Sequence, residues 1–324
     1  MAEVAGRTPA RWLIRVGWVS VVAIFLVNFV GFLDTITGSA FGCGNDWPLC
    51  NGAVIPSLGN IHVLIEFLHR AVVSVGAGLA TLYAVWALVR YRVWLEVRWF
   101  AGLALAAILA QATLGALAVL FVNPPWVLAL HFGISVLALT GILLLTVFLQ
   151  QQAARSAFRQ RPPSPGVRRG IRALLLYTFG AIYLGAYVAS RGAAVACLTW
   201  PLCNGRLWPA AWTQRLALVE AHRLVAVSLA VWIAWLVVRT ARERAQRPDL
   251  YRAAWLALVL VLTQAASGAY LVLSHLSVSA FMLHVSNMQG LFGTLAYLAY
   301  ETWPAAAVSR AAEPGPVAAG APAR

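Results

Sequence analysis

The sequence predicts an all-α integral membrane protein: eight transmembrane helices, arranged as two tandem four-helix bundles related by a pseudo-twofold axis. Three observations carry this. Of 324 residues, 61% are hydrophobic and 10% charged, too little polar surface to cover a soluble globule. The apolar stretches run for about 20 residues or more without period-2 alternation, as a helix crossing a hydrocarbon core of about 30 Å requires and a barrel strand does not. The second half of the chain also repeats the first.

Within a few residues at each end, the spans of the first half fall at 13–34, 61–89, 99–122 and 126–149. The first follows Arg11 and Arg15 and is long, with no small-residue cleavage site near its end, so it reads as a retained helix and not as a cleaved signal. The second contains Glu66, His69 and Arg70 and closes on Arg90; the third follows Arg98; the fourth contains His131. In the second half the spans fall at 172–190, 214–238, 253–273 and 279–301, the sixth containing His222 and Arg223 and the eighth His284. The Arg/Gln/Pro-rich stretch within 151–171 is the expected cytoplasmic linker between an N-terminal bundle, 1–150, and a C-terminal bundle, 172–303. The Ala/Pro-rich tail 304–324 is expected to be disordered.

The formal net charge of +14 comes from 24 basic residues, all arginine, clustered in a few connections between apolar spans. That pattern is topological and gives no case for nucleic acid. The rich set comprises the N-terminus, the 90–98 connection, the linker and the 239–252 connection; the opposite loops carry only Arg191, Arg206 and, at a helix boundary, Arg215. The positive-inside rule then predicts both termini on the cytoplasmic side of a cell membrane.

The repeat is the most informative feature. Trp47-Pro48-Leu49-Cys50-Asn51-Gly52 recurs as Trp200-Pro201-Leu202-Cys203-Asn204-Gly205, 153 residues on. The same offset carries Pro56 onto Pro209, His69-Arg70 onto His222-Arg223, Gln111 onto Gln264, Gly115 onto Gly268 and His131 onto His284. A gapless register through several helices that matches scarce His, Cys and Trp implies duplication. Each copy has an even number of spans, so both enter the membrane in the same sense.

His69, His131, His222 and His284 each fall inside a span, where ionisable groups are costly and face a partner or cofactor. Each pair lies at similar depth, and two imidazoles facing each other across an apolar bundle supply the axial nitrogens of one haem iron, giving one haem per half. Zinc would want three or four ligands, and only Glu66 is near enough to join. His62 and His275 have no counterpart in the other copy and read as interfacial residues.

The copies differ at one telling place. Glu66 shares a helix face with His69, three residues away, whereas its counterpart is Val219; Glu220 lies about 160° around the helix from His222 and should point elsewhere. Two readings of Glu66 stand: an ion pair with Arg70, one turn along, or a proton-transfer group beside a haem ligand. The second divides the labour, with chemistry in the first half and electron passage in the second. Arg70 and Arg223 offer contacts to haem propionates or a structural role. The four cysteines, Cys43, Cys50, Cys197 and Cys203, fall two to each outer loop and predict a disulfide in each, either a staple or a redox-active pair.

Taken together, Glu66-Phe67-Leu68-His69-Arg70, His131, His222-Arg223, His284 and a cysteine pair in each large outer loop resemble the haem A synthase family across the whole membrane part. The resemblance implies oxidation of a ring methyl of haem O to a formyl group, by successive hydroxylations and loss of water. It implies that His69 and His131 hold the substrate haem O, that Glu66 is required for the oxidation, and that His222 and His284 hold a haem b. It also implies haem O synthase upstream, haem-copper oxidase assembly downstream, and an electron acceptor that the sequence does not identify. Two other classes fit parts of the pattern. An electron-transfer b-type cytochrome exchanging electrons with quinone accounts for the histidines but not Glu66, and a haem transporter accounts for the duplication but not for buried double ligation.

Overall fold

The computed structural model describes residues 8–121, 124–154, 161–207, 209 and 211–303. The expected tail 304–324 lies outside the described residues, as does part of the expected linker. Among the described residues eight α-helices follow in order: α1 Arg11–Ile36, α2 Ile61–Tyr91, α3 Leu95–Leu120, α4 Pro125–Ala154, α5 Pro165–Ser190, α6 Gln214–Ala241, α7 Pro248–Leu273 and α8 Val278–Glu301. Seven are long and apolar enough to cross a membrane. The exception, α8, carries His284, Ser286, Asn287 and Gln289 along its middle, and it packs against α1, α4, α5 and α7.

Helix ends follow local chemistry. Asn60 caps α2 by accepting from the His62 backbone N–H, and Thr213 and Ser277 cap α6 and α8 in the same way. The fifth helix starts at Pro165, seven residues before the expected span, because Pro sits well in a first turn and the arginine-bearing turns beyond the hydrocarbon carry no apolar periodicity. The fourth likewise runs on to Ala154 through Gln150, Gln151 and Gln152.

Each half is a closed four-helix ring. In the first, α1 packs on α2, α2 on α3, α3 on α4 and α4 on α1; the second repeats this with α5 to α8. Across the seam α4 meets α8, while α1 meets α8 and α5 meets α4. Exchanging the halves maps this pattern onto itself, as a twofold between α4 and α8 requires.

The packed cores lie toward the ends of the bundles that bear the chain termini. Ala101, Ala104, Ile142 and Leu145 in one recur as Ala254, Ala257, Leu295 and Leu298 in the other. Small side chains bring α3 and α4 together: a Cβ on Gly141 would come 2.7 Å from the Ala104 backbone nitrogen. At this end Arg247, read from sequence as a topological charge, is buried at 1% exposure. It pairs with Asp249 at 2.7 Å and Glu301 at 3.4 Å and donates to the Arg161 carbonyl at 2.8 Å, fastening α7, α8 and the segment before α5 together.

The opposite ends carry the two large loops, which fold alike. Disulfides join Cys43 to Cys50 and Cys197 to Cys203, as expected, and a bridge follows each, Cys50 to Ala53 and Cys203 to Arg206. Asn51 and Asn204 take φ of 49° and 51°, and Gly52 and Gly205 both take 76°, the left-handed values that Asn and Gly tolerate best. The cysteines are separated by 7 residues in the first loop and 6 in the second. The one-residue difference lies there, so α1 matches α5 at an offset of 154 while the later helices keep 153.

Candidate functional site

The four histidines stand toward the disulfide ends, beyond the packed cores. His69 comes from α2 and His131 from α4, and the two rings lie within electrostatic reach of each other; His222 from α6 and His284 from α8 repeat the arrangement. A glycine on the neighbouring helix faces each ring. A Cβ on Gly31 would come 2.8 Å from Cε1 of His69, and one on Gly185 2.9 Å from Cε1 of His222. For Gly115 and His131 the distance is 3.4 Å, and for Gly268 and His284 it is 3.2 Å. The His69 and His222 edges thus rest in notches that a side chain would fill, while the fit is looser at His284 and loosest at His131.

The nitrogens are the second clue. Nδ1 of His69, His131 and His222 is buried with no hydrogen-bond partner. Buried ring nitrogens are ordinarily hydrogen-bonded or metal-bound. In the second half, Ser267 Oγ lies 3.0 Å from His284 Nδ1, Gln264 Nε2 lies 3.1 Å from its Nε2, and Asn287 donates to Gln264 Oε1 at 2.7 Å. In the first half the equivalent Gln111 donates to the His131 carbonyl at 2.6 Å, leaving the ring alone. Paired, glycine-flanked imidazoles in apolar surroundings, with partnerless nitrogens on His69, His131 and His222 and with His284 held by Ser267 and Gln264, fit axial ligation of one haem per half.

Glu66 is 3% exposed and fully engaged. Its Oε2 accepts from the Cys43 backbone N–H at 2.6 Å, and its Oε1 pairs with Arg70 at 2.5 Å. Arg70 also donates to the carbonyls of Asp46, at 2.7 Å, and Leu49. The ion pair weighed from sequence is therefore formed, and it couples the His69 helix to the first disulfide loop. Arg223 repeats the loop contact, donating to the Thr199 carbonyl at 2.8 Å, and pairs with Glu220 at 3.4 Å. Val219, in the place of Glu66, packs with Cys197 and Cys203. His62 accepts or donates at 3.0 Å with Ser39 in the loop, and His275 sits in the α7–α8 turn at φ 52°.

Sequence reasoning missed Asp34. It is 6% exposed, and its Oδ1 has no partner. Antiparallel packing places Gly17 on Tyr83 and Gly31 on His69, so the residue three beyond Gly31 meets the level of the residue three before His69, which is Glu66. Glu66 and Arg70 are the charged groups that act on it. At the offset of 154 the second half has Val188, so both carboxylates belong to the first half alone. The available signal was an acid in the last turn of an apolar span.

A duplicated eight-helix membrane protein with one histidine pair in each half, and buried acids beside only the first pair, is the class that fold and site define. The chain belongs to the COX15-CtaA family, described as cytochrome oxidase assembly protein, which it matches over residues 58–296. Among curated relatives, the heme A synthase of Symbiobacterium thermophilum is 41% identical over 276 residues, covering 83% of this chain and 89% of the relative. That of Shouchella clausii is 34% identical over 293 residues, covering 89% and 96%, and that of Bacillus licheniformis 32% over 284, covering 87% and 93%.

Proposed function

We propose that this multi-pass membrane protein is a haem A synthase, an oxidoreductase that converts the ring methyl of haem O to a formyl group for haem-copper oxidases. The observation that carries the reading is asymmetry within symmetry: both halves hold a histidine pair in glycine notches, and only the first adds buried carboxylates. His69 and His131 would hold substrate haem O, and His222 and His284 a haem b, which supplies one-electron redox chemistry when bound. The α1–α2 face with Asp34 and Glu66 borders the substrate, and the stapled loop closes the site from water. Glu66, paired with Arg70, holds negative charge beside the reacting haem. Asp34 offers the partnerless oxygen that can take a hydrogen bond or a proton from it. Both termini lie in the cytoplasm, and haem O synthase supplies the substrate.

Replacing one histidine pair at a time tests the assignment. With His222 and His284 both changed to Ala, the purified chain is expected to lose its b-type spectrum while still retaining haem O supplied in the membrane; with His69 and His131 changed, the converse. Loss of both haems from either double variant would contradict independent sites.

A further inference from the structure

A cavity of about 750 Å³ lies in the seam between the two halves, away from the histidine pairs. Trp18 and Phe25 of α1, Leu143 of α4, and Gly293 and Tyr297 of α8 contribute to its apolar wall. Asp249 and Arg252 of α7 line one part of it, and Ser286, Gln289 and Thr294 of α8 add polar side chains; of these, the Ser286 Oγ and Gln289 Nε2 are buried without a hydrogen-bond partner.

Helix pairing does not account for them. Asn28 of α1 donates to Gln289 Oε1 at 2.8 Å and to the Ser135 carbonyl at 3.4 Å. That makes the Gln289 oxygen an acceptor and leaves its nitrogen a buried donor without a partner, on a residue that lines the cavity. A buried donor at this depth is costly unless an occupant of the cavity brings the acceptor. The donors are also unique to this half, since the positions equivalent to Ser286 and Gln289 are Gly133 and Val136.

Depth narrows the occupant. Within α8, Val278–Glu301, Gln289 lies roughly 16 Å from one end and roughly 18 Å from the other at 1.5 Å per residue, close to the middle of the bilayer. Phospholipid carbonyls sit at the edges of a core about 30 Å thick, about 15 Å from this level. The acceptor must therefore sit on an apolar molecule that moves within the hydrocarbon. A quinone ring has two carbonyl oxygens that can accept from donors, a flat face for Phe25, which lies one turn from Asn28, and an isoprenoid tail that can remain in lipid. We propose that this seam cavity binds an isoprenoid quinone, with Gln289 and Ser286 donating to its carbonyl oxygens. The proposal goes beyond the haem reading and does not depend on it.

The test uses the full chain in nanodiscs of phosphatidylethanolamine and phosphatidylglycerol containing menaquinone-4. After extraction into mild detergent, quinone and phospholipid per chain are counted by mass spectrometry for wild type, Ser286→Ala, Gln289→Leu and the double variant. The expected result is about one quinone per wild-type chain, at least twofold less for Ser286→Ala and at least fivefold less for the double variant, with phospholipid unchanged. Ser286→Ala leaves the Asn28 contact intact, so it decides the matter if Gln289→Leu does not fold. An azido-menaquinone photolabel is expected on α1 or α8 peptides. Phospholipid alone on the wild type, equal quinone on all variants, or label confined to other helices would overturn the proposal.

Discussion

Gly31 lies against the edge of the His69 ring, so close that a Cβ there would come within 2.8 Å of Cε1. That contact fixes where the imidazole points, because the ring cannot swing toward α1 and its neighbour cannot accept a side chain. Gly31→Ala is therefore expected to turn His69 and lower haem retention in the first half at least fivefold. Gly115→Ala, with 3.4 Å to His131 Cε1, should lower it less than twofold. Haem content and the low-spin resonance signature of each variant check the ordering; equal effects would mean that the glycines do not set ring orientation.

Asp34→Val installs the residue that the second half uses, Val188, at a site where the native carboxylate oxygen has no partner. Removing an unpaired buried polar group should not destabilise the fold. Haem A formation is expected to fall at least tenfold with the b-type spectrum intact. Unchanged turnover would assign Asp34 no part in the reaction.

Arg247→Met removes the guanidinium that Asp249 and Glu301 pair with at a buried junction. Breaking such a cluster costs about 3–5 kcal/mol. A lowered unfolding midpoint in a detergent titration, with haem spectra unchanged below the transition, is the expected outcome.

Each disulfide closes a short loop that the α2 or α6 arginine holds by a backbone carbonyl. Replacing Cys43 and Cys50 with Ser should cost about 2–3 kcal/mol by the chain-entropy estimate. Because Glu66 accepts from the Cys43 N–H, the same change should also lower turnover; the Cys197 and Cys203 pair should affect stability alone. Thermal melts and turnover of both double variants distinguish the two loops.

Much of this was legible beforehand because it rests on long periodic signals and scarce residues. The apolar runs gave the helices, and the repeat paired His69 with His222 and His131 with His284. What sequence could not supply depends on register between helices. The notch at Gly31, the meeting of Asp34 with Glu66 and the Asn28–Gln289 contact each join residues that no local pattern relates. The same holds for Arg247, whose charge reads as topology until its partners from α8 are seen. The offset of 153 did not extend to α1 because one residue is inserted inside the first disulfide loop.

The most direct measurement is of the haems themselves. The wild-type chain and Glu66→Gln are expressed in membranes that contain haem O, and the non-covalent haems are extracted and separated with mass detection. Haem A with the wild type, and its loss in Glu66→Gln while haem b stays bound, is the predicted result. Recovery of only haem b and unaltered haem O from folded wild-type protein would contradict it and leave an electron-transfer cytochrome as the better account.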